Sequence, residues 1–168
     1  MRYADCAEEA WRNGAGRTRT LWSGEGARIS VAALERDAPF SAYAGYDRSF
    51  CVLGPGAVTL LVDGDERRLS LGEWTAFAGE AQVSAQLDQG PLRAVNVMTL
   101  RGVARHRVWL AHGPADAAML VALAGGNVGT ERFDAGDLLL PEFPATLGGA
   151  FLAVQIAEAD QSARVSAS

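Results

Sequence analysis

Histidine is nearly absent from this 168-residue chain, which holds only His106 and His112. Six positions apart, they are too distant to be neighbours on one strand face. No third histidine exists to complete the two- or three-histidine sets that hold iron, manganese or zinc in many barrels. Each is read as a satisfied or solvent-facing side chain, and no metal or other cofactor is expected. Cysteine is as scarce: Cys6 and Cys51 form no CxxC pair and are too few for a disulfide framework. A reducing setting follows, with Cys51 packing in the apolar run Phe50-Cys51-Val52-Leu53. Apolar runs long enough to cross a bilayer, ~18–20 residues, are missing. The opening MRYADCAEEAWRNG carries acids where a secretory signal needs an apolar core. A cytoplasmic protein with no membrane partner is the expectation. Lysine is missing altogether, and the 15 basic residues are scattered arginines set against 20 acids, for a net charge of −5. A surface of that sign does not track a phosphate backbone, which argues against nucleic acid as a partner. There is no GxSxG elbow or cysteine-protease motif. Gly14-Ala15-Gly16 lacks the GxGxxG spacing, the preceding strand and the following helix of a dinucleotide loop.

What is present is a globular composition, 49% hydrophobic and 21% charged, cut by Gly and Pro into short runs rich in Val, Leu, Ile, Phe and Trp. The runs read as strands over Thr18 to Trp22, Arg28 to Leu34, Arg48 to Leu53, Ala57 to Val62, Trp74 to Phe77, Val83 to Leu87 and Leu92 to Thr99. Further runs cover His106 to Ala111, Ala118 to Ala122, Leu138 to Leu140 and Phe151 to Ala157. Asp63-Gly64 marks a tight hairpin, because both residues tolerate positive φ. Helix is scarce: Asp116 to Ala124 has helix-compatible composition, but it lacks a cap strong enough to displace the strand reading. The sequence also echoes itself. Ala94-Val95-Asn96-Val97 matches Ala153-Val154-Gln155-Ile156 and Gly54-Pro55 matches Gly113-Pro114, with 153 − 94 and 113 − 54 both equal to 59. Leu71-Gly72-Glu73-Trp74 resembles Ala135-Gly136-Asp137-Leu138, a glycine turn whose acid can accept backbone N–H groups, as recurs in barrels of the cupin type. The expected fold is all-β, a cupin-like double barrel of the RmlC-like jelly-roll type in one compact unit. Its first barrel covers about 11–101, its second about 102–158, and a frayed tail 159–168.

Four polar words are not explained by strand formation alone. They are Trp11-Arg12-Asn13-Gly14-Ala15-Gly16-Arg17-Thr18-Arg19; Arg28-Ile29-Ser30-Val31-Ala32; Pro39-Phe40-Ser41 with Gly45-Tyr46-Asp47-Arg48; and Asn96-Val97-Met98-Thr99-Leu100-Arg101. Period-two alternation puts Arg28 and Ser30 on the face opposite Ile29 and Val31, and Asn96, Met98 and Leu100 on the face opposite Val95, Val97 and Thr99. If Ile29 and Val31 pack between sheets, Arg28 and Ser30 face solvent or a cavity. An asparagine set among apolar strand residues needs partners from a ligand or a loop.

In this order and spacing the four words resemble the HutD/Ves family, bicupin proteins found with bacterial histidine-utilisation genes. The resemblance covers most of residues 11–101 and fades beyond. It implies a two-barrel fold, no established enzymatic activity, and a binding or regulatory role toward small carboxylate intermediates of histidine breakdown such as formylglutamate or urocanate. Carried onto this chain, the implied ligand-binding set is Asn13, Thr18, Arg19, Arg28, Ser30, Phe40, Ser41, Asp47, Arg48 and Asn96, with Arg101 at the edge. Arginine suits two-pronged carboxylate recognition, Asn and Ser supply neutral donors, and Phe40 covers an apolar part of the ligand. The chain departs from the family pattern at Ala15, Thr20 and Ala94, the last two replacing acids. Two other readings stand beside this one. An isomerase or hydrolase of the same ligand class would use Asp47 or Glu73 as general acid or base. An interaction module would present Trp22 and Trp109 as an exposed patch. Edge strands make a homodimer a reasonable expectation.

Overall fold

The computed structural model describes residues 1–11, 14–142 and 144–159. After one turn of 3-10 helix at Tyr3–Asp5, every regular element is a strand. These are β1 (Glu8–Ala10), β2 (Gly16–Gly24), β3 (Ala27–Leu34), β4 (Ala38–Pro39), β5 (Tyr46–Leu53), β6 (Ala57–Val62), β7 (Asp65–Ser70), β8 (Trp74–Ala78), β9 (Val83–Leu87) and β10 (Leu92–Leu100), then β11 (Ala104–Ala115), β12 (Met119–Ala122), β13 (Gly126–Val128), β14 (Glu131–Phe133), β15 (Leu138–Leu139) and β16 (Ala145–Glu158). They pair antiparallel into three sheets. The first runs β1-β2-β3-β10-β5-β8, the second β4-β9-β6-β7, and the third β14-β13-β16-β12-β15, with β11 also on β16.

The first sheet lies between two cores, which is why its strands read as nearly unbroken apolar runs. On one face Ala32, Leu34, Phe50, Val52, Leu92 and Ala94 pack against Val58, Leu60, Leu69 and Val83 of the second sheet. On the other face Ile29, Val31, Cys51, Leu53, Val95 and Val97 pack against Val108, Met119, Val121, Leu152 and Val154 of the third. Alternation along each strand sends neighbours to opposite cores. A separate cluster containing Leu120, Phe133, Leu147 and Phe151 fills the far face of the third sheet.

The echoes resolve differently. Ala94–Val97 lies on β10, paired with β3 and β5, and Ala153–Ile156 lies on β16, paired with β11 and β12, so each word is central in its sheet. The two Gly-acid turns share their bonding. Gly72 N–H donates to Val52 O and Glu73 O accepts from Val52 N–H, while Gly136 N–H donates to Ala122 O and Asp137 O accepts from Ala122 N–H. Each acid side chain also accepts the N–H three residues back, of Ser70 and Asp134 respectively. Both glycines have positive φ, +79° and +99°. Gly54 and Gly113 are not equivalent: Gly54 follows β5 and donates to Leu123 O, whereas Gly113 sits inside β11 at a register irregularity. The Asp63-Gly64 hairpin forms as expected, with φ of +50° and +95°. Residues 116–124 hold strand β12 and no helix. The short strands β1, β4, β13 and β14 are too brief to leave a periodic signal. β16 runs through Gly148-Gly149, where glycine serves close approach: a Cβ on Gly148 would collide with the Asn127 side chain. Ala159 N–H donates to Val103 O, and the rest of the expected tail lies outside the described residues.

Two polar ties join segments distant in sequence. His106 on β11 binds Ser49 Oγ through Nε2 at 2.9 Å and Thr99 Oγ1 through Nδ1 at 2.7 Å, so it is a satisfied histidine; His112 is exposed. Burial holds the His106 pKa below the ordinary imidazole value, with Asp47 opposing. The second tie is Asp137, 3% exposed. Its carboxylate accepts Tyr3 N–H at 2.8 Å, Asp134 N–H at 2.9 Å and Arg2 Nη1 at 2.9 Å. Burial pushes this carboxyl upward, but the bonds from Arg2, Tyr3 and Asp134 outweigh it and its pKa falls. The same segment makes a two-way backbone bridge, Met1 with Leu138.

Because the folded state resists protonating His106, the unfolded state binds that proton more readily. Stability is then full above the unfolded pKa of about 6.5 and falls as pH drops from there toward the folded value. Thermal unfolding of wild type from pH 8 to pH 5 is expected to show this decline, and His106→Asn should flatten it. Asp137→Ala strands the Tyr3 and Asp134 N–H donors, while Arg2 keeps Glu131 and Arg132 O, and is expected to cost about 3 kcal/mol in denaturant unfolding.

Candidate functional site

The first sheet grades from apolar to polar along the face that meets the second sheet. Pairing across β3, β10 and β5 stacks its side chains in rows: Leu34 with Leu92, then Ala32-Ala94-Val52, then Ser30-Asn96-Phe50, then Arg28-Met98-Arg48. The apolar rows fill the core and the polar rows reach a cavity of about 470 Å³, a size that suits a small molecule. Its walls include Glu9, Ala10 and Trp11 from β1 and the residue after it, Thr18 from β2, and Phe40, Ser41, Ala42 and Tyr43 from the segment after β4.

Arg48 is the centre of this site. It is 7% exposed, its Nη1 donates to Ser41 O at 3.2 Å, and its Nη2 donates to Asn96 Oδ1 at 3.1 Å. Three rings surround the guanidinium, with centroids 5.1 Å away for Phe77, 5.4 Å for Phe40 and 5.5 Å for Tyr43. The Nε is buried and has no hydrogen-bond partner. No carboxylate is paired with it among the described residues. Burial lowers its pKa to about 10, Tyr43 opposing and Arg28 adding to the fall, so it stays cationic at neutral pH. Aromatic faces supply part of the counter-charge, yet a buried cation without an anion remains costly. Arg28, two strands away, also has no ion-pair or hydrogen-bond partner among the described residues.

The remaining walls are fixed by polar detail. The guanidinium forces the Asn96 oxygen toward Arg48, which leaves the Asn96 amide NH2 free of protein partners among the described residues. Thr18 Oγ1 accepts Trp11 Nε1–H at 2.8 Å and so sets the indole against the cavity. Phe40 N–H donates to Val83 O, while its ring meets Trp11 edge-on at 6.2 Å and Phe50 at 5.6 Å.

Of the residues expected from sequence, Thr18, Arg28, Ser30, Phe40, Ser41, Arg48 and Asn96 come together here. Arg19, Asp47 and Arg101 do not. Arg19 follows Thr18 and so faces away, where it pairs with Glu8 and stacks on Tyr3. Asp47 is likewise turned from Arg48 and meets Arg101, which also pairs with Glu80. Asn13 lies outside the described residues. Glu73, weighed as a catalytic acid or base, is exposed and tied to its own turn through Ser70. Trp22 and Trp109 are half-buried on different clusters and form no common patch. Sequence reasoning missed Glu9 and Tyr43: the three-residue strand β1 carries no periodicity, and Tyr43 falls in a loop. Among the described residues no three His, Cys, Asp or Glu side chains are grouped to hold a metal ion, and no helix is long and apolar enough to cross a membrane.

Comparison with known proteins gives this geometry a family. A family model described as HutD matches residues 3–146. An uncharacterised 21.2 kDa protein from the hutC 3′ region of Pseudomonas putida is 39% identical over 106 residues, 58% of this chain and 56% of that protein, so the match spans little over half the relative's length. Protein Ves of Cronobacter sakazakii is 34% identical over 68% of this chain and 70% of its own. Among solved structures, HutD of Pseudomonas fluorescens SBW25, in a formate condition, superposes with a TM-score of 0.81 at 25% identity, covering 95% of this chain and 97% of that one. An RmlC-like cupin from Shewanella frigidimarina matches 60% of this chain and 88% of its own with a TM-score of 0.51 at 11% identity, a likeness of fold alone. With an all-β, cupin-like architecture and a family match over most of its length, this chain belongs to the HutD family.

Proposed function

We propose that this protein binds a small carboxylate metabolite in the cavity above Arg48, without a metal, and that this binding serves the regulation of histidine utilisation. One observation carries the reading: Arg48 is a buried cation with an unpartnered Nε and no anion beside it among the described residues. A carboxylate entering the cavity supplies both an acceptor and a negative charge, in the two-pronged geometry that guanidinium favours. Arg28, Ser30 and the Asn96 amide line the same space, and the aromatic walls suit an apolar part of the ligand. The family supports the metabolic setting, since relatives are named for histidine-utilisation genes. Formylglutamate and urocanate are the acids proposed first. Among the described residues that line the cavity the only carboxylate is Glu9, so an enzymatic reading through Asp47 or Glu73 has no support from their positions.

Thermal unfolding against histidine, urocanate, formylglutamate, formiminoglutamate and glutamate, with and without chelator, tests the reading. A ligand at about a hundredfold its Kd adds about 2.7 kcal/mol, a rise of roughly 5–10 °C for a chain of this size. The expected result is such a rise with one acid, indifferent to chelator and absent in Arg48→Gln. Silence across the panel, or an equal rise in Arg48→Gln, would overturn it. Arg48→Met, which fills similar volume without charge, is expected to abolish the response to acid while changing the stability of the ligand-free protein by no more than about 1 kcal/mol, because relief of the buried charge is offset by the acceptors left at Ser41 O and Asn96 Oδ1.

A further inference from the structure

Glu9 lines the cavity that holds Arg28 and Arg48, and it has no ion-pair or hydrogen-bond partner among the described residues. Its orientation follows from the ladder. Glu9 stands opposite Thr18, and Thr18 opposite Ala32, on the row that shares the cavity face. Its neighbour Glu8 points the other way and is engaged by Arg17 and Arg19. Arg28 is four residues along β3 from Ala32, and β1 is two strands across from β3. In an ideal sheet those steps put the Glu9 and Arg28 Cα atoms about 16 Å apart, farther than the two side chains reach. Among the described residues, then, an unpaired carboxylate and two guanidiniums free of carboxylate partners face one space with a gap between them.

We propose that Glu9 is a specificity-determining residue of this cavity, selecting carboxylates whose opposite end carries a cationic or N–H nitrogen. This rests on the carboxylate reading above. The acid end neutralises Arg48 and Arg28, and the nitrogen end meets Glu9 at the mouth. A plain carboxylate of equal length satisfies the arginines but leaves its far end opposite an uncompensated negative charge. Glu9 is solvent-exposed, so its effect is a selectivity factor and not the main source of affinity.

The test is calorimetric titration of ω-amino carboxylates of three to six carbons and of the matching unsubstituted acids into wild type, Glu9→Gln and Arg48→Gln, with circular dichroism confirming that each variant folds. The expected result is that at least one amino acid binds wild type about fivefold more tightly than its plain partner. In Glu9→Gln that ratio should fall to about one, the plain acid binding at least as well as before because a repelling charge is gone. Equal binding of both series to wild type, lost in Arg48→Gln, would overturn the role of Glu9 and leave the carboxylate reading standing. A ratio that survives Glu9→Gln would also overturn it. Binding of neither series would overturn both.

Discussion

The structure depends on one sheet having two buried faces. Every strand at the centre of the first sheet must supply alternate residues to two different cores, so a polar side chain placed there is removed from water whichever way it points. Six buried polar residues are found among the described ones: Ser30, Arg48, Ser49, Asn96, Thr99 and Asp137. Five of them belong to this sheet, and they divide by face. Ser49 and Thr99 point to the third sheet and share His106. Ser30, Arg48 and Asn96 point to the second sheet, where the cavity opens. The alternation that builds the cores thus also sorts the polar side chains that tie the sheets together from those that line the cavity.

Within the cavity face the decisive imbalance is of charge. Arg17, Arg19, Arg68 and Arg101 all meet carboxylates at the surface, where such pairs contribute little. Arg48 is where a counter-ion would matter most, and aromatic rings and neutral acceptors stand there instead. Ala94, two residues from Asn96 on the same face, is fully buried among apolar side chains, so that position supplies no counter-charge. A buried cation without a counter-ion gives up some folded-state stability, because the charge is taken out of water without full compensation.

The longer strands and the division of β3 and β10 into two faces were legible because period-two alternation is strong over eight or nine residues, and the hairpin at Asp63 because Asp and Gly tolerate positive φ. Arg28 with Ser30, and Asn96 with Met98, could be assigned to shared faces from that pattern alone. Which face was the cavity, and which neighbours joined it, depended on pairing between distant strands. Arg19 and Asp47 belong to the set that the family resemblance implies, yet each is adjacent on its strand to a cavity residue, Thr18 or Arg48, and adjacency on a strand means opposite faces. Glu9 was invisible for the converse reason: only its register with Thr18 places it, and no three-residue strand announces a register. The Gly-acid echo could be read because its bonding is local, whereas the Gly-Pro echo at equal separation was a coincidence of spacing.

The segment that walls the cavity begins far from it. Residues 1–3 are bound to Leu138 and Asp137 of the third sheet, and a few residues later the same chain becomes β1, bearing Glu9 and leading to Trp11. Arg93 extends the link from β10 to Ala135 O. The two halves are consequently not interchangeable modules. Excising the second would uncover an entire apolar face of the first sheet and unmoor one side of the cavity, so the shape of the cavity is a property of both halves together.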